Sequence, residues 1–170
     1  MIIRVSEIPE EGLPIEGAAA IAHPFADPGW ALTDLSLLIE KEGEVVLVRG
    51  RLDARVPQTC SRCLEPYQVT VSPRIDARFV PTPAGRQEEH ELAKDDLETD
   101  VYDNDRLDVS ALVETETTLG LPMKPLCRED CRGLCPVCGG NRNHASCGCP
   151  PPPVDSRWAA LRELPGPSSR

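Results

Sequence analysis

Alternation of apolar and polar positions is clearest over residues 44–56. There Val46, Val48, Gly50, Leu52, Ala54 and Val56 share one parity, and Arg49, Arg51, Asp53 and Arg55 share the other. A period of two places these sets on opposite faces of a β-strand. The short apolar stretch 32–40 reads as a second strand, and Lys41-Glu42-Gly43 supplies a hairpin turn before the first. After a turn segment at 57–66, alternation resumes over 67–79, with Val69, Val71, Ile75, Ala77 and Phe79 in one register. Pro81 and Pro83 end it. Residues 2–8 alternate weakly, as an edge strand would, and 98–102 reads as one more short strand.

Helical spacing appears once before the cysteines. Asp108 is a suitable N-cap for a helix reaching Leu119, with Leu112, Val113, Glu116 and Leu119 on one side. Gly120 and Pro122 stop it, since proline lacks the N–H a helix interior needs. Pro150 to Pro153 form an extended spacer, and 155–164 reads as a short helix with Trp158, Leu161 and Leu164 on its apolar side. The pattern predicts an α+β chain, a small antiparallel sheet or partial barrel with a helix and a cysteine-rich zinc-binding tail. Its expected divisions are a β-rich domain with a C-x-x-C hairpin turn (1–87), an acidic segment and helix (88–122), a cysteine-rich metal module (123–149), and a proline spacer with a C-terminal helix (150–170).

Composition narrows the chemistry. Only 4% of the 170 residues are aromatic, while 18 are proline and 12 are glycine, so the core is aliphatic and the connections are many. No apolar run reaches the roughly 20 residues of a membrane span. The start Met1-Ile2-Ile3-Arg4-Val5-Ser6-Glu7 lacks the basic and apolar regions of a signal peptide, which points to a cytoplasmic protein. Disulfides are rare in a reducing compartment, so the eight cysteines require another explanation.

The cysteines are spaced as metal ligands. Cys60-Ser61-Arg62-Cys63 sits in the turn between the two best strands, and Cys127, Cys131, Cys135, Cys138, Cys147 and Cys149 follow downstream. Two residues between thiolates let a tight turn aim both at one tetrahedral ion. In Cys135-Pro136-Val137-Cys138-Gly139, glycine permits the positive φ that can turn N–H groups toward sulfur. Eight thiols suffice for two closed four-thiolate sites. The preferred split joins Cys60 and Cys63 to Cys127 and Cys131, and Cys135 and Cys138 to Cys147 and Cys149. Spacing alone leaves the grouping open, and His144 could replace a cysteine. Zinc, two ions, is the expected cofactor; iron held by four thiolates, as in an electron carrier, is chemically close. A redox C-x-x-C usually opens a helix beside a βαβ unit, a pattern missing here. No catalytic constellation is visible, since no glycine loop cradles phosphate and His23, His90 and His144 lie in unrelated contexts.

Three blocks of residues together resemble a known family. They are Cys-Ser-Arg-Cys-Leu-Glu-Pro at 60–66, Val113-Glu114 leading to Leu121-Pro122 and Pro125-Leu126-Cys127, and Gly133-Leu134-Cys135-Pro136-x-Cys138-Gly139-x-Asn141-x-Asn143. With Cys147-x-Cys149, Asp155-x-Arg157, Leu161 and Leu164, this order resembles the YceD family of large ribosomal RNA subunit accumulation proteins, over roughly residues 35–164. Arg142 stands where that family's pattern has leucine. The resemblance implies a non-enzymatic factor for accumulation or assembly of large-subunit ribosomal RNA. Some members lack the C-terminal cysteines, which implies that the second metal site is dispensable for the shared role.

Two surfaces compete as the contact with ribosomal material. Arg49, Arg51, Arg55, Arg74 and Arg78 could share an outward sheet face and meet RNA phosphates. Against this, residues 88–116 hold twelve acidic residues and only Lys94 and Arg106, a charge of −10, with −3 before them and +3 after. That segment, including Asp95, Asp96, Asp100 and Asp103, suits a basic ribosomal protein or the large ribosomal subunit precursor. The acids do not follow the EF-hand calcium pattern. The expectation is a factor working mainly through protein contacts, with direct RNA binding as the alternative.

Overall fold

A computed structural model describes residues 1–22, 24–82, 99–150 and 157. His23, His90, Asp95, Asp96, most of the acidic loop and the expected helix at 155–164 therefore lie outside the described residues. The chain divides into two compact units. One comprises Met1–Gln58 and Pro66–Pro125; the other comprises Thr59–Glu65 and the chain from Leu126 onward.

The first unit is mostly sheet with one helix. Its strands are β1 (Ile2–Arg4), β2 (Leu13–Glu16), β3 (Ala31–Glu42), β4 (Val45–Thr59), β5 (Pro66–Val71), β6 (Arg74–Pro81), β7 (Asp100–Tyr102) and β8 (Arg106–Asp108), followed by α1 (Val109–Leu119). The long hairpin β3–β4 turns at Gly43, whose φ of +66° suits a residue without Cβ. Strands β2, β3, β4, β6 and β7 form an open path in that order, and β5 also pairs with β4. The β2–β3, β3–β4 and β4–β6 pairings are antiparallel, and β6–β7 is parallel. A two-stranded sheet, β1 with β8, accompanies the larger one.

The alternating set of β4 is inward as its parity requires. Val46, Val48, Leu52, Ala54 and Val56 are all at most 1% exposed. All but Val56 pack with Leu35, Leu37, Ile39, Ile75, Phe79 and the helix residues Val109, Leu112 and Val113. Asp108 caps α1, its Oδ1 accepting from the Ser110 and Ala111 N–H groups at 3.0 and 3.3 Å. Two orphan donors of the first turn are thereby satisfied.

Several elements differ from the pattern reading. The alternation over 67–79 is broken into β5 and β6 by Ser72-Pro73, because proline cannot donate to the ladder. Parity is nonetheless kept, so Val71, Ile75 and Phe79 remain buried together. The weak strand at 2–8 is β1 followed by a 3-10 turn at Val5–Glu7. In α1 the buried side runs through Val109, Leu112, Val113 and Thr117, while Leu119 is 74% exposed. Thr117 is tolerated inside because its hydroxyl donates to the Val113 carbonyl at 2.7 Å.

Candidate metal centres

Both C-x-x-C segments fold into the same hydrogen-bonded turn. In the first, the Leu64 N–H donates to the Cys60 carbonyl and the Cys60 N–H to the Glu65 carbonyl, each at 2.9 Å. In the second, the Gly139 N–H donates to the Cys135 carbonyl at 2.9 Å and the Cys135 N–H to the Gly140 carbonyl at 2.8 Å. The offsets are identical, so the two turns are structural twins. The residue after the second cysteine takes a left-handed backbone in both, with φ of +61° at Leu64 and +71° at Gly139. Glycine adopts that region freely, whereas an L side chain there costs about 1–2 kcal/mol. Leu64 is 61% exposed and offers little packing in return. Leu64→Gly is therefore expected to stabilise the cysteine-rich unit by roughly 0.5–1 kcal/mol after the added freedom of the unfolded chain is counted. A rise of its thermal midpoint by a few degrees would register this; a fall would show that Leu64 makes contacts worth more than the strain.

The eight sulfurs gather into two groups of four. Cys60, Cys63, Cys127 and Cys131 form one, and Cys135, Cys138, Cys147 and Cys149 the other, with all ligand atoms of a group within 4.8 Å of one another. This is the grouping favoured from the paired spacing. Cys60 and Cys131 sulfurs are 3.8 Å apart, and those of Cys63 and Cys127 are 3.6 Å apart. A tetrahedral ion with metal–sulfur bonds of about 2.3 Å requires sulfur–sulfur edges of about 3.8 Å. The donor set and its spacing thus fit a four-thiolate ion. His144 joins neither group; its Nε2 lies 2.6 Å from Glu65 Oε1.

Thiol acidity within each group is uneven. Burial opposes ionisation of Cys60, but hydrogen bonds from the backbones of Cys127, Cys63 and Arg62 outweigh it and bring the thiol down to about 6. The Glu65 backbone favours a thiolate at Cys63, yet burial and the three neighbouring sulfurs push that thiol up to about 12. The second group repeats the contrast. Cys135 is lowered to about 6 by the Cys138 and Val137 backbones, and Cys149 is raised to about 12 by Cys138, burial and Cys147. Without a cation the four sulfurs of a group resist ionising together; a divalent ion removes that conflict.

Side chains around the first group hold it in shape. Asn143 Nδ2 donates to Cys131 Sγ at 3.3 Å, while its Oδ1 accepts from the Arg132 N–H at 2.8 Å and from Arg128 at 2.9 Å. Arg62 Nη1 donates to the carbonyls of Glu129 and Cys131. Gly133, at φ +67°, brings its backbone against Arg62, where a Cβ would lie 2.9 Å from the Arg62 carbonyl oxygen. These supporting roles of Arg62, Asn143 and Leu64 escaped the sequence reading. The parallel between Cys-x-x-Cys-Leu and Cys-x-x-Cys-Gly was the available signal for Leu64.

This turn, its downstream partners and the sheet strands that flank it fall within one matched region. Residues 48–165 match the family described as "Large ribosomal RNA subunit accumulation protein YceD". The chain belongs to this family.

This YceD-family chain is also similar to uncharacterized proteins of Mycobacterium tuberculosis and Mycobacterium bovis. Each is 34% identical over 146 residues, covering 82% of this chain and 65% of the relative. An uncharacterized protein of Mycobacterium leprae is 30% identical over 132 residues, covering 77% of this chain and 58% of that protein. The matches thus span less than two-thirds of the relatives' length. No solved structure matches the chain.

Both expected contact surfaces lie in the first unit. Arg49 is held by Glu40 at 3.5 Å and Asp76 at 3.3 Å. Arg51 and Arg74 face each other across β4 and β6, and the Leu52 N–H bond to the Pro73 carbonyl makes theirs the close, non-hydrogen-bonded kind of pair. Arg55 and Arg78 are exposed, and no described carboxylate forms an ion pair with Arg51, Arg55, Arg74 or Arg78. Of the four predicted partner-binding acids, Asp100 and Asp103 are described and exposed. They line a cleft of about 570 Å³ with Asp108, Glu116, the cationic Arg106, and the apolar Phe79 and Leu112. Burial, and then the nearby charge of Asp100, raises the Glu116 carboxyl above its ordinary value. No described helix is long and apolar enough to cross a membrane.

Proposed function

We propose that this protein is a non-enzymatic, zinc-binding factor for the accumulation or assembly of large-subunit ribosomal RNA, acting mainly through protein contacts. The family match over residues 48–165 carries the ribosomal part of this reading. The two four-sulfur groups support zinc in a structural role. Four protein thiolates close the coordination shell and leave no position for a substrate or activated water.

The partner is the large-subunit precursor, met through a basic ribosomal protein. The acidic cleft supports this: Asp100, Asp103 and Glu116 converge on one concavity, and a lysine or arginine placed there would relieve the repulsion felt at Glu116. Asp95 and Asp96 belong to the same acidic run. A second reading, direct RNA contact through Arg49, Arg51, Arg55, Arg74 and Arg78, is favoured by one observation. Like charges directly opposite on neighbouring strands destabilise a sheet, and the Arg51–Arg74 pair has no described carboxylate bound to it. A phosphate would offset that repulsion.

Affinity capture of tagged protein from cells, with parallel variants, tests the choice. Neutralising Asp95, Asp96, Asp100 and Asp103 to asparagine is expected to reduce recovery of a basic ribosomal protein by about tenfold, with Arg51→Gln/Arg74→Gln nearly unchanged. The reverse result, with a salt slope lowered by about 0.7–0.9 for each lost phosphate contact, would select the RNA reading. Capture of no ribosomal component by the unaltered protein would sink both. A colourless preparation is expected; visible thiolate-to-iron absorbance would instead favour an electron carrier.

A further inference from the structure

The twin turns carry metal groups of very different surroundings. Cys60, Cys63 and Cys131 are 0%, 3% and 3% exposed, with Cys127 half-buried. In the second group only Cys135 is buried; Cys147 and Cys149 are half-buried and Cys138 is exposed. Associative ligand exchange requires an incoming donor to reach the ion or a departing sulfur, so exposure of the ligands controls the rate.

The sulfurs of the first group are also supported from several sides. Hydrogen bonds reach Cys60 from the backbones of Cys127, Cys63 and Arg62, Cys63 from Glu65, and Cys131 from Gly133 and Asn143. In the second, the backbones of Val137 and Cys138 support Cys135. Outer donors of this kind orient ligands and hold the bound ion.

Tethering differs as well. The first group joins ligand pairs from two segments far apart in sequence, so opening it would separate turn 59–65 from the tail. The second closes through the arm Cys147-Gly148-Cys149. There Ser146, Gly148 and Pro150 are exposed, and a Cβ at Gly148 would meet nothing within 4 Å. Among the described residues, that arm can leave the ion without unpacking anything else.

We infer that the two groups differ in permanence: Cys135, Cys138, Cys147 and Cys149 form an exchangeable zinc site, and Cys60, Cys63, Cys127 and Cys131 a locked one. This rests on the zinc reading of both groups. The exchangeable site would pass its ion to, or receive it from, thiolate-rich or aminocarboxylate ligands in solution. The locked site keeps the turn and tail together meanwhile.

The test uses the full chain loaded with zinc in reducing buffer and challenged with excess 4-(2-pyridylazo)resorcinol, a chromogenic chelator. Two equivalents are expected to leave in two phases, the first at least tenfold faster. Cys149→Ser should abolish the fast phase and leave the slow one intact. Brief alkylation of the loaded wild-type protein with iodoacetamide, mapped by peptide mass, needs no variant. It should label Cys138, Cys147 and Cys149 well before Cys60, Cys63 and Cys131. Release of both ions in one phase, or labelling of Cys60 and Cys63 first, would overturn the inference. A purified chain that folds and binds no zinc at all would instead remove the metal reading on which it stands.

Discussion

Cys60→Ser is expected to cost the protein one metal ion and the fold of residues 126–134, while the sheet of the first unit survives. Cys60 is fully buried among the other three sulfurs, and its turn is the only stretch outside the tail that belongs to the cysteine-rich unit. Among the described residues, few apolar side chains are buried there besides the cysteines themselves. Such a module draws its folding free energy from its metal, of order 10 kcal/mol in isolated zinc-finger peptides. The first unit has its own core around Val46, Val48, Ile39 and Val113, worth about 1.5–3 kcal/mol for each well-buried aliphatic chain. Limited proteolysis should cut beyond Pro125 and leave a protected fragment containing β2 to α1, with metal analysis one equivalent lower. Digestion throughout the chain would show that the ion supports both units. Cys149→Ser provides the internal contrast, since loss of the exposed group should leave the turn at 59–65 and Cys131 protected.

Gly50→Ala should be the most damaging single change in the first unit. Gly50 lies on the inward parity of β4 with φ +156°, and a Cβ there would sit 2.0 Å from the Ser36 carbonyl oxygen and 2.9 Å from Leu37 Cα. Those atoms are backbone of β3 and cannot rotate aside. Relief would require separating β3 from β4 at the register pair Leu37–Gly50, in the middle of the sheet. A loss above about 4 kcal/mol is expected, in the exceptional class for point substitutions. The control is Gly43→Ala, where φ is also positive at +66° but nothing lies within 4 Å. That change should cost about 1 kcal/mol, a midpoint shift of only about 2–4 °C. Equal effects of the two substitutions would mean that β4 bends freely and that Gly50 serves conformation alone.

Much of the candidate site was readable because its chemistry is local. A cysteine pair two residues apart, followed by a residue able to take positive φ, specifies a turn that aims two sulfurs the same way, and both turns formed as written. The paired spacing also suggested which pairs would combine, and the sulfurs gather accordingly. What neighbours in sequence cannot specify is the outer support of those sulfurs. Asn143 reaches Cys131, and Arg62 reaches the carbonyl of that cysteine, across 12 and 69 residues respectively. Leu64 in a left-handed conformation contradicts local preference and is held there by its hydrogen bond to Cys60 and by the group it helps to close.

The fold divides along the same line. Strict alternation determined β4, its buried face and the hairpin at Gly43, because period two leaves each side chain only one face to occupy. Asp108 determined the start of α1, since its carboxylate satisfies N–H groups that no other local residue could reach. Only tertiary structure decided that β2 and β8 exist, for strands of three or four residues are too short to carry a period and depend on the partner they pair with. It also decided the parallel β6–β7 pairing, the exposure of Leu119 and the inequality of the two metal groups. Each of these depends on what lies across a gap in sequence, where burial and backbone hydrogen bonds are shared between segments.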